Sequence, residues 1–176
     1  ALREILSAQN LAAILVTHDR DEAFRIAQEI ATVDRGRLMP PMDKHALFRN
    51  PGTRAATTLT GCKNISAARR VDAEHVKATD WGITLRVADA ATDVQHIAVR
   101  AHYLVLASEN DANALPARIA EIIESTFSYI VMLRFAEGAV PIRWEIDKTT
   151  WHAHEAGIGD TLHFKFPVEE LMLLLD

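Results

Sequence analysis

The strongest constraint on the fold is a series of short β-rich runs that follow one another from about residue 65 onward. Turn residues separate these runs, which lie at 75–79, 83–88, 96–101, 116–126, 129–136, 140–146 and 161–166. Runs of this length and spacing are typical of a small antiparallel barrel or sandwich. We find no clear internal repeat, and the polar segment 108–116 is the best candidate for a connection between two sections of the barrel.

The first sixty residues have a different pattern, in which helix and strand alternate. Residues 2–9 place apolar side chains on one helical face, and residues 11–17 are continuously apolar, which predicts a strand covered on both faces. A helix over 21–30 with an acidic first turn follows. A strand–turn–strand element over 30–39 and a short helix within 40–52 complete the series. We therefore expect two structural units, an α/β piece and a mainly β domain.

Composition argues against several classes of partner. Hydrophobic residues make up 49% of the chain and charged residues 24%, which is an ordinary globular profile, and the formal net charge is −5. A negative chain without interleaved basic and aromatic residues predicts no nucleic-acid partner. The apolar runs are far shorter than the ~20 residues of a membrane-spanning helix. One cysteine, Cys62, cannot form an intrachain disulfide, which favours a reducing compartment.

A longer motif follows the predicted strand at 11–17. The stretch "VTHDRDEAFRIAQEIATVDRGRL" and the later "KHALFRNPG" resemble the C-terminal part of an ATP-binding-cassette (ABC) transporter ATPase, with the same order of strand, turn, helix and hairpin. In that family the histidine after the strand contacts the γ-phosphate of ATP and helps to arrange the attacking water. The resemblance therefore implies that His18 is the switch histidine, catalytic in the full-length ATPase.

Other parts of an ATPase site are absent from the sequence. It contains no GxxxxGK[ST] phosphate loop, no LSGGQ-like signature and no apolar strand ending in "DEP" (Walker B). We expect residues 1–62 to be the C-terminal piece of a nucleotide-binding domain, and the chain to be a fragment with no enzyme activity and no cofactor. ATP and Mg²⁺ would belong to the full-length parent. Implied partners are transmembrane permease subunits and a second ATPase subunit in a homodimer, on the inner face of the cell membrane.

The β-rich remainder also resembles part of this family. The segments "TGCKNIS", "IAVRAHYLVL" and "GIGDTLHFKFPVEELMLL" are similar to a transport-associated, oligosaccharide-binding-like (TOBE) barrel, which implies an OB-like antiparallel regulatory domain over 63–176. Together with "STFSYIVML", they most resemble ATPases of molybdate, tungstate or sulfate importers. The resemblance implies a barrel that senses the oxyanion or mediates dimer contacts.

Candidate oxyanion ligands follow from the chemistry of the anion, which favours hydroxyls, backbone N–H groups and a cation. Ser125, Thr126 and Ser128 supply hydroxyls at a strand end, and Arg118 and Lys63 are cations near in sequence. Ordinary turn residues remain the alternative reading of these positions.

Other features carry weaker indications. Trp144 and Trp151 serve a dimer contact or the core. His152 and His154 lie two residues apart and could share a metal, with Glu155 or His163 as a third ligand. No third ligand is evident from the sequence, so no metal site is predicted. The alternative function is a stand-alone small-ligand-binding β-barrel.

Overall fold

The structure, a computed structural model, describes residues 12–154 and 156–176. Contacts divide the chain into two compact units, with the boundary between Gly61 and Cys62. We call the described part before this boundary unit 1 and the part after it unit 2. The helix predicted at 2–9 and Leu11 lie outside the described residues.

Unit 1 consists of short elements. Its helices are α1 (Arg20–Ile26), α2 (Lys44–Arg49) and α3 (Arg54–Leu59). Its antiparallel strand pairs are β1 (Glu29–Ile30) with β4 (Met42–Asp43), and β2 (Val33–Asp34) with β3 (Arg37–Leu38). Arg35 and Gly36 join β2 to β3 with positive φ angles of 46° and 78°, as a two-residue type I′ hairpin requires. The strand–turn–strand prediction is thus confirmed, whereas the helix predicted over 21–30 ends at Ile26.

The strand predicted for residues 11–17 is wrong over 12–17. These residues form no strand, and Ile14 and Val16 are 95% and 92% exposed. A buried parallel strand takes its hydrogen bonds and its cover from neighbouring elements, and the described part of unit 1 pairs no strand with this segment. The apolar composition of residues 12–17 favours a strand, but a strand also needs a neighbouring strand to pair with.

Aromatic contacts hold α1 against α2. The Phe24 ring lies edge-on to Phe48, with centroids 4.9 Å apart, and to His45, at 5.2 Å. The Lys44 ammonium donates to the Phe24 carbonyl at 2.8 Å and lies over its ring. Leu47, on the same helix α2, is buried.

Unit 2 is mostly β-structure. Its strands are β5 (Asn64–Arg70), β6 (His75–Ala78), β7 (Ile83–Arg86), β8 (His96–Val99), β9 (Val105–Leu106), β10 (Ala114–Glu124), β11 (Ser128–Arg134), β12 (Ile142–Asp147), β13 (Thr161–Lys165) and β14 (Met172–Leu174). Helix α4 (Lys148–His152) follows β12, and 3₁₀ turns at Ala101–Tyr103 and Val168–Glu170 precede β9 and β14. Each of the seven predicted runs contains a strand. Hydrophobic periodicity and flanking turn residues are local signals, so the sequence is sufficient to predict these strands.

The described strands of unit 2 form two antiparallel sheets of five strands with the same topology. One sheet has the order β14-β8-β5-β6-β7, and the other has the order β9-β13-β10-β11-β12. Strand β9 follows β8 in the chain but pairs with β13, and β14 follows β13 but pairs with β8. The two halves therefore exchange their fifth strands.

Unit 2 therefore contains an internal repeat that the sequence reading missed. The strand register shows the repeat at equivalent positions: His96 on β8 pairs with Ala67 on β5, and His163 on β13 pairs with Pro116 on β10. The repeat is one of topology and register, and few residues are identical between the halves. Core positions need only an apolar side chain of suitable size, so the two halves can share a fold although their residues differ.

Both sheets contribute to one hydrophobic core. Trp81 stacks on Phe166 with centroids 6.3 Å apart, and Phe164 lies edge-on to Trp144 at 4.9 Å. The Trp144 indole N–H donates to the carbonyl of Leu104 at 2.9 Å. The predicted mainly β architecture, with curled antiparallel sheets, is confirmed. Within the described residues, no helix has the length and apolar character needed to cross a membrane.

Candidate functional site

His18 lies exposed in the turn that leads into α1. Asp19 is the N-cap of this helix, and its carboxylate accepts from the backbone N–H groups of Asp21 and Glu22 at 2.9 and 3.0 Å. These two hydrogen bonds stabilise the charged carboxylate and lower the pKa of Asp19.

A hydroxyl relay closes the other side of the same turn. The backbone N–H of Asp19 donates to the Thr17 hydroxyl at 3.0 Å, and that hydroxyl donates to the Glu22 carboxylate at 2.7 Å. In an ordinary capping box the glutamate accepts directly from the N-cap backbone, whereas here Thr17 stands between them. Hydrogen bonds of Thr17 and Asp19 thus fix the residues on either side of His18. The role of His18 in ATP hydrolysis stays a prediction.

The candidate oxyanion hydroxyls lie at the β10–β11 turn. Ser125 and Thr126 are exposed, and the Ser125 N–H donates to the Ser128 carbonyl at 2.9 Å. The Ser128 hydroxyl donates to the Glu145 carboxylate at 3.2 Å. Phe127, at the tip, is 84% exposed. The structure thus brings the three hydroxyl residues to one turn, where one of the hydroxyls already has an acidic partner.

The cation at this turn is Lys148, which the sequence reading missed. Its backbone N–H donates to the Phe127 carbonyl at 3.3 Å, and its ammonium donates to the Glu124 carboxylate at 2.5 Å. The same ammonium lies 5.6 Å from the centroid of the Tyr129 ring. The hydrogen bond and the charge of Lys148 lower the pKa of Glu124. No local sequence signal links a residue after β12 to this turn.

Arg118 and Lys63 lie elsewhere in unit 2. Arg118 is on β10 opposite Arg134, and about 20 Å of strand separates it from the turn, at ~3.3 Å per residue. Lys63 is exposed and directly precedes β5. The structure therefore does not bring these two cations to the three hydroxyl residues, and the role of all five in binding an oxyanion stays a prediction.

Three residues of uncertain role are buried. Trp144 and Trp151 are 4% and 7% exposed, and their rings meet edge to face at 6.1 Å, which favours the core over a dimer contact. Cys62 is also buried, its thiol donates to the Val99 carbonyl at 3.3 Å, and burial raises the pKa of the thiol. A protonated, buried thiol is structural.

A shallow cleft of about 430 Å³ lies between the segment before β9 and the β12–α4 junction. His102, His154, Glu145, Asp147 and Thr150 contribute polar groups to its lining. Hydrogen bonds from Thr150 occupy the Asp147 carboxylate and lower its pKa. Outside residues 1–11 and Glu155, no three His, Cys, Asp or Glu side chains are placed to hold a metal ion.

Curated relatives match the chain along most of its length. No family model matches it. The putrescine transport ATP-binding protein PotG of Escherichia coli (strain K12) is 25% identical over 185 aligned residues, which covers 97% of this chain and 48% of that protein. The sulfate/thiosulfate import ATP-binding protein CysA of Burkholderia mallei (strain ATCC 23344) is 26% identical, covering 92% and 46%. The chain's homologues are ATP-binding subunits of ABC importers.

A further ABC importer subunit matches a shorter part. The thiamine import ATP-binding protein ThiQ of Ruegeria sp. (strain TM1040) is 40% identical over 50 residues, covering 28% of this chain and 22% of that protein. The chain spans about half the length of the two importer subunits that it matches most fully.

A solved structure is similar in fold to about two thirds of the chain. This structure is the cytoplasmic molybdate-binding protein ModG with molybdate bound, which matches with a TM-score of 0.51 and 14% sequence identity. The match covers 66% of this chain and 98% of the ModG chain. ModG is an OB-like fold, so the likeness confirms the predicted OB-like β architecture. At this identity, the likeness concerns the fold alone.

Proposed function

We propose that the chain is the C-terminal part of the ATP-binding subunit of an ABC importer for an oxyanion, molybdate or tungstate and alternatively sulfate. The observation that carries the proposal is the match to importer subunits over more than nine-tenths of the chain. Residues 1–62 would belong to the nucleotide-binding domain and residues 63–176 would form a TOBE-like regulatory barrel.

In this proposal His18 acts at the γ-phosphate of ATP in the full-length subunit, where ATP and Mg²⁺ bind mainly to residues that this chain lacks. An imidazole donates a hydrogen bond to a phosphate oxygen when its other nitrogen is held or solvated. The Thr17–Glu22 relay and the Asp19 cap fix the backbone on both sides of His18. By itself the chain would have no ATPase activity.

The barrel would regulate transport by sensing the oxyanion or by mediating contacts between two copies of the subunit. Importer ATP-binding subunits work with permease subunits, so the parent protein would lie in the cytoplasm, peripheral to the membrane. The OB-like fold shared with a molybdate-binding protein supports oxyanion sensing by analogy of fold. The exposed turn at Ser125 and Thr126 offers hydroxyls for such a ligand.

The test of the importer assignment is ATP hydrolysis by the full-length subunit assembled with its permease. We expect His18→Ala to reduce turnover by about a hundredfold or more while nucleotide affinity is retained, because the lost interaction acts in the transition state. His75→Ala is the control, since His75 is a half-buried histidine on β6 of unit 2, apart from the turn that carries His18. Equal turnover of His18→Ala and wild type would refute the role of His18.

The test of the sensor assignment is calorimetry of this chain with molybdate, tungstate and sulfate. Heat of binding for one anion supports sensing and identifies the anion. Flat titrations with all three would remove sensing and leave the ATPase assignment intact. The alternative, a stand-alone ligand-binding barrel, has no support from relatives, which are ATPase subunits over both units of the chain.

A further inference from the structure

Unit 2 carries a pair of cations at the same place in each of its halves. Arg69 on β5 lies directly opposite Lys77 on β6, and Arg118 on β10 lies directly opposite Arg134 on β11. Arg69 and Arg118 occupy equivalent positions, since each lies two residues beyond the residue that pairs with a histidine on the next strand. The repeat of the fold therefore includes a repeat of charge.

Such a pairing is unfavourable without a counter-charge. Residues directly opposite on antiparallel strands point to the same face, with Cβ atoms about 5 Å apart, and like charges there are destabilising. Arg118 and Arg134 are exposed on the outer face, whereas Ile119 and Leu133, the next pair in register, are buried. Both guanidinium groups are therefore open to a ligand from solvent.

Ion pairing to carboxylates distinguishes these arginines from their neighbours on the same sheets. Among the residues that the structure describes, Arg69, Arg118 and Arg134 make no ion pair. The nearby arginines on the edge strands β7 and β12 do. Arg86 pairs with Glu74 at 3.3 Å and Arg143 with Glu145 at 3.6 Å. Within residues 12–154 and 156–176, the arginines of the inner pairs thus lack the ion pairs that the edge-strand arginines make.

The second half offers the better anion site. Thr161 lies opposite Arg118 on its other side, so a hydroxyl stands in line with the two guanidinium groups. Gly159 also borders this site, because the Arg118 guanidinium lies 3.9 Å from where a Cβ on this glycine would be. In the first half, the Lys77 ammonium already donates to the Gly82 carbonyl at 2.9 Å.

We propose that each cation pair binds one doubly charged tetrahedral oxyanion, tightly at Arg118–Arg134 and weakly at Arg69–Lys77. Guanidinium forks bind the oxygens of such anions with paired hydrogen bonds, and two opposed forks match two charges. The choice of anion rests on the proposed function, whereas the presence of an anion site rests on the charges. Sulfate, phosphate and molybdate share the required chemistry.

The experiment is calorimetry of the whole chain with sodium sulfate and with sodium molybdate, at constant ionic strength set by chloride. We expect two sites of unequal affinity. Arg118→Gln and Arg134→Gln should each weaken the tight site by about tenfold or more, and Arg69→Gln should abolish only the weak site. Arg143→Gln is the matched control, because this arginine lies on the same sheet and already has Glu145 as its partner. It should bind as wild type does.

A second readout separates this site from the hydroxyl turn. If Ser125→Ala combined with Thr126→Ala abolishes binding while Arg134→Gln retains it, the cation-pair site is wrong and oxyanion sensing stands. If wild type binds neither sulfate nor molybdate, the cation-pair site fails, and sensing fails with it if the tungstate titration is also flat. Only the His18 test then bears on the ATPase assignment. If Arg143→Gln and Arg134→Gln lose the same anion affinity, the effect comes from the net charge of the chain. That result would overturn the site.

Thermal unfolding gives an independent check of the same idea. Sulfate should raise the Tm of wild type more than that of Arg134→Gln, because a ligand stabilises only the folded state that binds it. In the absence of the anion, Arg134→Gln should unfold at the same temperature as wild type or higher, since a repulsion is removed. A lower Tm of the anion-free variant would contradict the uncompensated repulsion on which the site depends.

Discussion

The side chain of Asn64 closes a two-way pair of hydrogen bonds with the backbone of Arg143. Its amide donates to the Arg143 carbonyl at 2.7 Å, and its oxygen accepts from the Arg143 N–H at 2.8 Å. Asn113 does the same with the backbone of Arg86, at 2.7 and 2.8 Å. Asn64 begins β5 and Asn113 directly precedes β10, the central strands of the two halves, and each asparagine bonds an edge strand of the other half. These reciprocal bonds tie each half to one residue on the edge strand of the other half.

Replacing Asn64 should therefore destabilise unit 2. Asn64 is only 4% exposed, so Asn64→Ala leaves a backbone N–H and carbonyl poorly satisfied, and we expect a loss of about 2 to 4 kcal/mol. Denaturant unfolding, monitored by tryptophan fluorescence, measures this change in the free energy of unfolding. Gln95→Ala is the control, since this exposed side chain makes one long bond to the Leu175 carbonyl at 3.2 Å. Similar losses for both variants would show that the Asn64 bridge contributes nothing special.

Two glycines with the same backbone conformation should differ in their tolerance of alanine. Gly82 and Gly138 have φ angles of +73° and +71°, so alanine is strained at either by about 1 kcal/mol. A Cβ on Gly82 would lie 2.7 Å from the Cβ of Ala136, whereas one on Gly138 meets nothing within 4 Å. We expect Gly82→Ala to cost about 1 to 3 kcal/mol more than Gly138→Ala in equilibrium unfolding. Equal costs would mean that the β11–β12 turn yields freely.

The ion pair at the β10–β11 turn should be visible in the titration of its acid. Lys148 lowers the pKa of Glu124, so the stabilisation from this pair is present above the ordinary glutamate pKa of about 4.3 and is lost as the pH falls through the lower value of the folded state. Lys148→Met should raise the pKa of Glu124 toward its ordinary value. NMR titration of the Glu124 carboxyl carbon, in wild type and in Lys148→Met, measures this shift. An unchanged Glu124 titration would exclude the contact in solution.

The cap of α1 should govern the histidine turn. Asp19→Ala removes two hydrogen bonds from backbone N–H groups and should destabilise α1, because alanine cannot cap the helix. In the full-length subunit we expect it to lower kcat more than it raises KM, because it disturbs the position of His18. Asp19→Asn can still cap the helix and should restore most of kcat. Failure of asparagine to restore it would argue for a role of the Asp19 charge rather than of the cap.

The sequence by itself determined the local elements. Short β-rich runs separated by turn residues predicted the strands over 75–79, 129–136 and 161–166, and the strand–turn–strand pattern over 30–39 predicted the hairpin at Arg35 and Gly36. These features depend on residues close in sequence, so period and turn chemistry are sufficient to specify them. The motif around His18 indicated importer ATPases for the same reason, since its letters are contiguous.

Only the tertiary structure decided how these elements combine. The exchange of β9 and β14, the opposition of Arg118 to Arg134 and the Asn64–Arg143 bridge join residues that are distant in sequence. Register between such strands is set by packing over the whole core, which no short window of sequence contains. The same limit explains residues 12–17, where an apolar run predicted a strand but pairing depends on neighbours that the run cannot supply.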